Sequence, residues 1–195
     1  MDVMNLPDVA IALALGWGAG LRAYAVIFAV GLAGAMGWVE LPGYLHVLEH
    51  PLVIAASGFM TLVEFGADKV PWLDSIWDAV HSFVRIPAGA ALAAMVFGDS
   101  TSAVMVAAGI LGGSLAAAMH VAKAGTRATL NLSPEPFSNW AASLSEDALV
   151  PLGLWVAFAH PVVFFVLLAL ILVAVALLMR LLWRGFRRLV ATPST

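Results

Sequence analysis

The residues best able to do chemistry are acids and bases placed at helical spacing in an otherwise apolar sequence. Asp74, Asp78, His81 and Arg85 follow one another at intervals of four, three and four, which puts them on one face of a helix. Such a face can line a buried polar site, or it can rest on the membrane surface with its charges in water, and both interpretations stay open. Asp74, Asp78 and His81 are also acceptable ligands for a divalent metal, but their spacing is not diagnostic.

A second acidic group is formed by Glu146 and Asp147. In a helix that begins near Asn139 they would lie about 11–12 Å inside it, at ~1.5 Å per residue. The alternative is a helix that begins near Ala148, since Ser143 and Glu146 have the spacing of a capping box. Residues 148–158 alone are too short to span a bilayer, which favours burial of both acids.

A basic group lies at the end of another apolar segment, where His120, Lys123 and Arg127 share one helical face. Cations at a helix C-terminus are favoured by the helix dipole and are retained in the cytoplasm, so topology alone explains them. The alternative is a site for an anion or a lipid phosphate headgroup. Arg22 follows the glycine-rich run GWGAG, and we expect it to pair with Glu64 or Glu146.

The sequence therefore predicts two sets of site residues. The candidates for binding a substrate or ion are Glu64, Asp68, Asp74, Asp78, His81, Arg85, Glu146 and Asp147. The candidates for binding an anion or headgroup are Arg22, Lys69, His120, Lys123 and Arg127.

The composition shows which kind of element must carry these residues. Of the 195 residues 63% are hydrophobic and 11% are charged, against roughly 45–50% and about 25% in soluble domains. This excludes a soluble enzyme. The net charge of -3 argues against nucleic acid as a partner, and the absence of cysteine excludes thiolate metal sites and disulfides. The fold class predicted is an all-α integral membrane protein.

About six transmembrane helices fit the apolar segments, in a single transmembrane domain over residues 1–195. The first segment is too long for one perpendicular helix, and the sequence leaves open whether it is continuous, broken or re-entrant. The predicted spans are 9–39, 51–67, 79–98, 101–121, 139–158 and 161–182.

Basic residues predict the orientation, because cytoplasmic segments retain Lys and Arg. With six spans both termini lie in the cytoplasm, residues 184–195 form a short basic cytoplasmic tail, and the location is the bacterial inner membrane. Three helices followed by three also allow two inverted repeats, 8–98 and 101–183, with broken or Pro-kinked helices. The glycine clusters GWGAG and GILGG stand at corresponding places in the two halves.

Several of these stretches together resemble an uncharacterised bacterial membrane family, domain of unknown function 4126. They are GLRAY, EFGADKVPWLDSIWDAVHSFVRIPAGA, HVAKAGTRATLN, SPEPFSN and SLSED, so the resemblance runs nearly from the start of the chain to about Pro161. It implies a small multi-pass membrane protein without an assigned activity. Family members often have Asn where this chain has Arg22, so the resemblance does not imply an obligate role for this arginine.

The leading functional hypothesis is a transporter or channel for an ion or small solute, with the carboxylates and His81 lining a cytoplasm-facing polar cavity. The alternatives are a flippase or intramembrane enzyme acting on a lipid phosphate, and a non-transporting scaffold. No nucleophile motif supports an enzyme, and no cofactor is expected. The expected partners are the lipid bilayer and an unknown ion or solute, and small residues in the fourth span make a homodimer plausible.

Overall fold

The structure is a computed structural model, and it describes residues 5–70, 73–130 and 137–191. Within these ranges every element is helical. Six α-helices and one short 3-10 helix, Gly43–Glu49, follow in chain order: α1 Leu6–Ala35, α2 Pro51–Ala67, α3 Leu73–Val96, α4 Ser102–Leu130, α5 Phe137–Ala159 and α6 Pro161–Ala191.

The helices have the length and apolarity of membrane spans. Among the described residues five helices qualify, and a sixth span results if the 3-10 helix and α2, which meet at 74°, are taken as one broken span. Helices suit a bilayer because they satisfy their backbone hydrogen bonds internally. The predicted all-α membrane protein of about six spans is confirmed.

The first helix is bent back on itself at Arg22, whose backbone is extended (φ -148°, ψ 82°) while its neighbours are helical. Gly18 on one side of the break packs against Val26 on the other, since a Cβ on Gly18 would lie 2.7 Å from Val26 Cγ2. In a straight helix these positions would be about 12 Å apart at ~1.5 Å per residue. The helix is therefore a hairpin with a first arm, residues 6–21, a tip at Arg22, and a second arm, residues 23–35.

The first arm runs beside α4 in the same direction. Gly16 faces Gly112, where an added Cβ would lie 2.7 Å from the Gly112 Cα, and Gly20 faces Ala116. Without side chains at these positions the backbones can approach closely. The same arm runs antiparallel to α5, as Trp17 packs on Gly153 of that helix.

The remaining helices connect two ends of the molecule. Gly31 of the second arm contacts Leu48 of the 3-10 helix, and Phe28, nearer the hairpin tip, contacts Gly58 of α2. α2 therefore leads away from the 3-10 helix toward the tip. α3 runs back to the end where the 3-10 helix lies, because Gly43 (φ 58°) at the start of the 3-10 helix packs on backbone atoms of Met95 near the end of α3. We call the end that contains Arg22 the cluster end and the end that contains Leu6 and the 3-10 helix the opposite end.

This geometry changes the predicted topology. The six-span prediction counts residues 9–39 as one pass and so places both termini on the same side. Because α1 is a hairpin, its first and last residues lie at one end of the molecule, the opposite end as defined above. α5 finishes and α6 begins at this same end. α1 is thus an apolar segment of spanning length that returns to its own end, and the five helices after it, α2 to α6, each run from one end of the molecule to the other. The predicted inverted repeat stays a prediction.

Two helix boundaries were predicted too conservatively. α3 begins at Leu73 rather than near Ala79, and α4 continues to Leu130 rather than ending at Val121. Both extensions carry charged side chains that are buried by pairing, which an apolar-segment search cannot anticipate. The expected basic tail is helical through Ala191, and its last residues, 192–195, lie outside the described residues.

The polar face of α3 points into the bundle and its apolar face points outward. Ile76, Val80 and Phe83 are exposed, Phe83 by 85%, whereas Asp74 and Arg85 are buried. A helix resting on the membrane surface would show the reverse pattern. The surface-helix interpretation is therefore wrong, and the outward apolar side chains suit contact with lipid.

Candidate functional site

Charged side chains from five helices form one connected network at the cluster end, which we call the ion-pair cluster. The hairpin tip supplies one arginine, the end of α2 and the residues after it supply three groups, and α3, α4 and α5 supply two each. Its members are Arg22, Glu64, Asp68, Lys69, Asp78, Arg85, Lys123, Arg127, Glu146 and Asp147.

Arg85 of α3 holds two carboxylates. Its Nη2 donates to Glu64 Oε1 and its Nη1 to Asp78 Oδ1, both at 2.6 Å. His120 lies 3.4 Å from the same Nη1 through its Nδ1. Both carboxylates and the guanidinium are almost completely buried, so this arginine joins α2 to α3 where water does not screen the charges.

Lys123 of α4 lies at the centre of the ion-pair cluster. Its Nζ is 3.0 Å from Asp68, 3.1 Å from Glu146 and 3.5 Å from Asp78, each measured to a carboxylate oxygen. It also donates to the carbonyl of Leu21 at 3.2 Å. That carbonyl is next to the break in α1, so the lysine ties the hairpin to the other charges.

Arg22 inserts from the hairpin tip. It lies 3.0 Å from Asp68 and 3.0 Å from Asp147, and it donates to Ser143 Oγ at 3.0 Å. Its distance to Glu146 is 3.8 Å, which bears out that part of the predicted pairing. The predicted alternative, Glu64, is wrong as its partner because Arg85 holds that carboxylate.

Arg127 and Lys69 pair with the two partly exposed acids of the ion-pair cluster, Glu146 and Asp147. Arg127 pairs with Glu146 at 3.3 Å and donates to the carbonyl of Asn139 at 3.0 Å. Lys69 lies 3.8 Å from Asp147. The side chains of Lys69, Glu146 and Asp147 are 21%, 14% and 24% exposed, so this side of the cluster is partly open.

The arrangement differs from both predicted forms of the site. The acids were expected to line a polar cavity, but Glu64, Asp68 and Asp78 are buried against cations. The bases were expected to suit a phosphate headgroup, but protein carboxylates already neutralise Lys123 and Arg127.

The charges of the ion-pair cluster balance, with five cationic and five anionic members. Asp74 is a further buried acid beside it. The rings of His81 and Trp77 stack at 3.9 Å, and Tyr24 meets His81 edge-on at 5.7 Å. Tyr24, Trp77 and Ser143 were not predicted as site residues, since none carries a charge and only the fold brings them here.

Four buried carboxylate oxygens in the ion-pair cluster have no hydrogen-bond partner within the described chain: Glu64 Oε2, Asp68 Oδ1, Asp78 Oδ2 and Asp147 Oδ2. An unsatisfied buried acceptor costs about 1–3 kcal/mol, and more when charged. Burial raises the pKa of Asp68, but Lys123, Arg22 and Arg127 lower it by more, so the pKa lies below its ordinary value. These oxygens remain unused hydrogen-bond acceptors within the ion-pair cluster.

The predicted metal site is not assembled. Among the described residues no three His, Asp or Glu side chains come together in a group able to hold a metal ion. His81 instead directs its Nδ1 to the carbonyl of Trp77 at 2.8 Å. Asp78 pairs with Arg85, so the candidate ligands Asp74, Asp78 and His81 do not converge on one point.

A cavity of about 970 Å³ lies at the opposite end, between the two arms of the hairpin, and we call it the vestibule. Pro7 and Ile11 of the first arm and Ala33 of the second arm line it together with α5 and residues 38–42. No sequence pattern predicts this cavity, because its walls are far apart along the chain. Its polar and aromatic members are Asp8, Trp38, Glu40, Trp155 and Phe158.

An apolar layer separates the vestibule from the ion-pair cluster. Leu15, Val26 and Val150 are completely buried, and Gly18 packs on the two valines. Closely packed apolar side chains offer water neither space nor hydrogen bonds. A solute in the vestibule therefore meets a barrier before it reaches the charged groups.

A family profile matches the sequence over residues 9–181, under the description Domain of unknown function (DUF4126). The chain belongs to this family. The DUF4126 match covers most of the hairpin, the whole ion-pair cluster and most of α6, and it confirms the resemblance seen in the sequence. Neither a curated protein nor a solved structure matches the chain.

Proposed function

We propose that this DUF4126 protein is a transporter for a small solute or ion, and that the ion-pair cluster is its gate on one side. The observation that carries the proposal is the hairpin α1, which reaches from the open vestibule to the charged groups with Arg22 at its tip. A broken helix at membrane depth is tolerated where it is buried in protein or lines a solute path.

The distribution of open and closed regions supports a carrier rather than a continuous pore. The vestibule is open at one end, the layer around Leu15, Val26 and Val150 is dry, and the cluster end is closed by ion pairs. Alternating access requires that one side be closed while the other is open. The arrangement corresponds to one such state.

The energetics of the ion-pair cluster also support a functional role. Charge pairs buried in a protein contribute little net stability, because desolvation offsets most of their attraction. Charges within a membrane are costly and mark ion or solute paths. Asp68 and Glu146 each contact more than one cation, so their partners can exchange as the gate moves.

The scaffold hypothesis is the second candidate, and the pairing of Arg85 and Lys123 with protein carboxylates favours it. A docking protein would need the charges only to hold its helices together. The lipid-phosphate hypothesis has no comparable support, since the partly open side of the ion-pair cluster presents Glu146 and Asp147 beside Lys69.

Reconstituted liposomes test the proposal. We expect Arg22→Gln to loosen the gate and to raise ion leakage several-fold above the wild type, recorded as electrogenic current and as internal pH. Arg184→Gln, at an exposed arginine of α6, is the matched control and should behave as the wild type. If folded wild type and Arg22→Gln both leave the liposomes as tight as empty ones under every ion and solute gradient applied, the transporter proposal fails and the scaffold is preferred.

A further inference from the structure

We infer that the vestibule binds a monovalent organic cation with an apolar body. The inference rests on the proposed function in that it names the class of solute such a transporter would carry. The residues that would bind the cation all line the vestibule, and none belongs to the ion-pair cluster.

The ionisable side chains that line the vestibule are acidic within the described chain. Asp8 and Glu40 are its ionisable residues, and no Lys, Arg or His is among the described residues that line the cavity. Within the described chain neither carboxylate takes part in an ion pair, in contrast to every acid of the ion-pair cluster. Asp8 lies in the first turn of α1, at the mouth of the hairpin. The cavity therefore attracts a positive charge and repels phosphate or other anions.

The remaining lining suits an apolar, cationic solute. Trp38, Trp155 and Phe158 bring three aromatic rings to the cavity. Aromatic faces attract organic cations, and Trp does so best. The volume of about 970 Å³ lies at the upper end of the range for sites of drug-sized ligands.

The other occupants fit less well. A divalent metal needs several converging ligands, and no group of three acidic or His side chains comes together within the described chain. A neutral acyl chain would gain nothing from Asp8 and Glu40. An organic cation uses both the carboxylates and the rings.

Binding of tetraphenylphosphonium to the full chain in lipid nanodiscs tests the inference, with protein-free nanodiscs subtracted. We expect saturable binding, about tenfold weaker in Asp8→Asn and also weaker in Glu40→Gln. Asp99→Asn removes an exposed carboxylate that does not line the vestibule and should leave the affinity unchanged. Tetraphenylborate has the same shape with the opposite charge and should not bind.

The outcomes separate this inference from the proposed function. Equal binding of tetraphenylborate, or unchanged affinity in both carboxylate variants, overturns the inference whether or not the protein transports. Carboxylate-dependent binding without flux of any solute in liposomes supports the inference and counts against the transporter. If Asp8→Asn fails to fold, Glu40→Gln at an exposed position outside the helices still decides the matter.

Discussion

At the scale of single residues, Arg85 illustrates how the ion-pair cluster is held together. It satisfies two buried carboxylates, Glu64 and Asp78, at 2.6 Å each. Removing one member of a buried pair leaves an uncompensated charge, which costs far more than the intact pair contributes. The cluster is therefore sensitive to neutralising one residue and tolerant of neutralising a balanced set.

Replacing Arg85 with Met should destabilise the protein by about 3–5 kcal/mol, because two carboxylates lose their counter-charge. The triple variant Arg85→Met, Glu64→Gln, Asp78→Asn should recover a large part of the loss. Thermal unfolding in detergent, followed by tryptophan fluorescence, measures both effects. Arg184→Met is the control, as exposed substitutions usually stay within about 0.5 kcal/mol. A single variant as stable as this control would contradict the pairing.

The hairpin tip makes a separate prediction. Arg22→Asn shortens the side chain and removes its charge from Asp68 and Asp147. We expect the hairpin to persist, because its arms are held by glycine contacts, while the tip detaches from α5. A single cysteine at Ser143 should then react with a water-soluble maleimide several-fold faster in the Arg22→Asn background than with Arg22 present. Equal rates would show that Arg22 does not cover this site.

At the scale of elements, small residues decide how the hairpin packs. Gly16 and Gly20 on the first arm meet Gly112 and Ala116 on α4 so closely that a Cβ would touch backbone. Backbone cannot move aside as the end of a flexible side chain can. Gly66 in α2 is different, since nothing lies within 4 Å of its added Cβ.

Two alanine substitutions separate packing from helix propensity. Gly16→Ala should destabilise by about 1–3 kcal/mol, the usual cost of overpacking. Gly66→Ala adds the same methyl group in open space and should be neutral or stabilising by up to about 1 kcal/mol, because Ala favours helix. Thermal unfolding compares them directly. If Gly16→Ala is as stable as Gly66→Ala, α1 and α4 do not approach each other as closely as the contact between Gly16 and Gly112 requires.

The hairpin itself can be tested by labelling, since the chain contains no cysteine. Leu6 and Met36 stand at the two ends of α1 and are 51% and 53% exposed. In a hairpin, Leu6→Cys and Met36→Cys react with a membrane-impermeant maleimide from the same side of the membrane. A straight α1 would place the two cysteines on opposite sides, and that result would refute the hairpin.

At the scale of the whole molecule, the number of crossings sets the orientation. A hairpin followed by five crossings puts the start of α1 and the end of α6 on opposite sides. The basic residues of α6 and of the ion-pair cluster lie toward one end, and because cytoplasmic segments retain Lys and Arg we expect that end to face the cytoplasm. We then expect the beginning of α1 to face away from the cytoplasm, unlike in the orientation predicted from six passes.

Labelling in intact cells checks the orientation. Leu6→Cys should react with impermeant maleimide from outside, and Arg184→Cys should react only after the membrane is opened. Two cysteines that react from the same side would restore the six-pass topology. Val70→Cys, exposed at the cluster end, is a further marker that should behave as Arg184→Cys does.

The sequence by itself determined the class, most of the helices and the residues that carry charge. Apolar length and composition have few solutions in a bilayer, so α2, α5 and the start of α6 were located within about two residues, and the common face of Asp74, Asp78, His81 and Arg85 followed from helical spacing. The fold-back of α1 at Arg22, the pairing of Glu64 with Arg85 and the vestibule between the arms depend instead on how the helices pack. A single extended residue redirects a helix without altering its composition, and the partner of a buried charge depends on which helices meet, so neither leaves a periodic pattern in the chain.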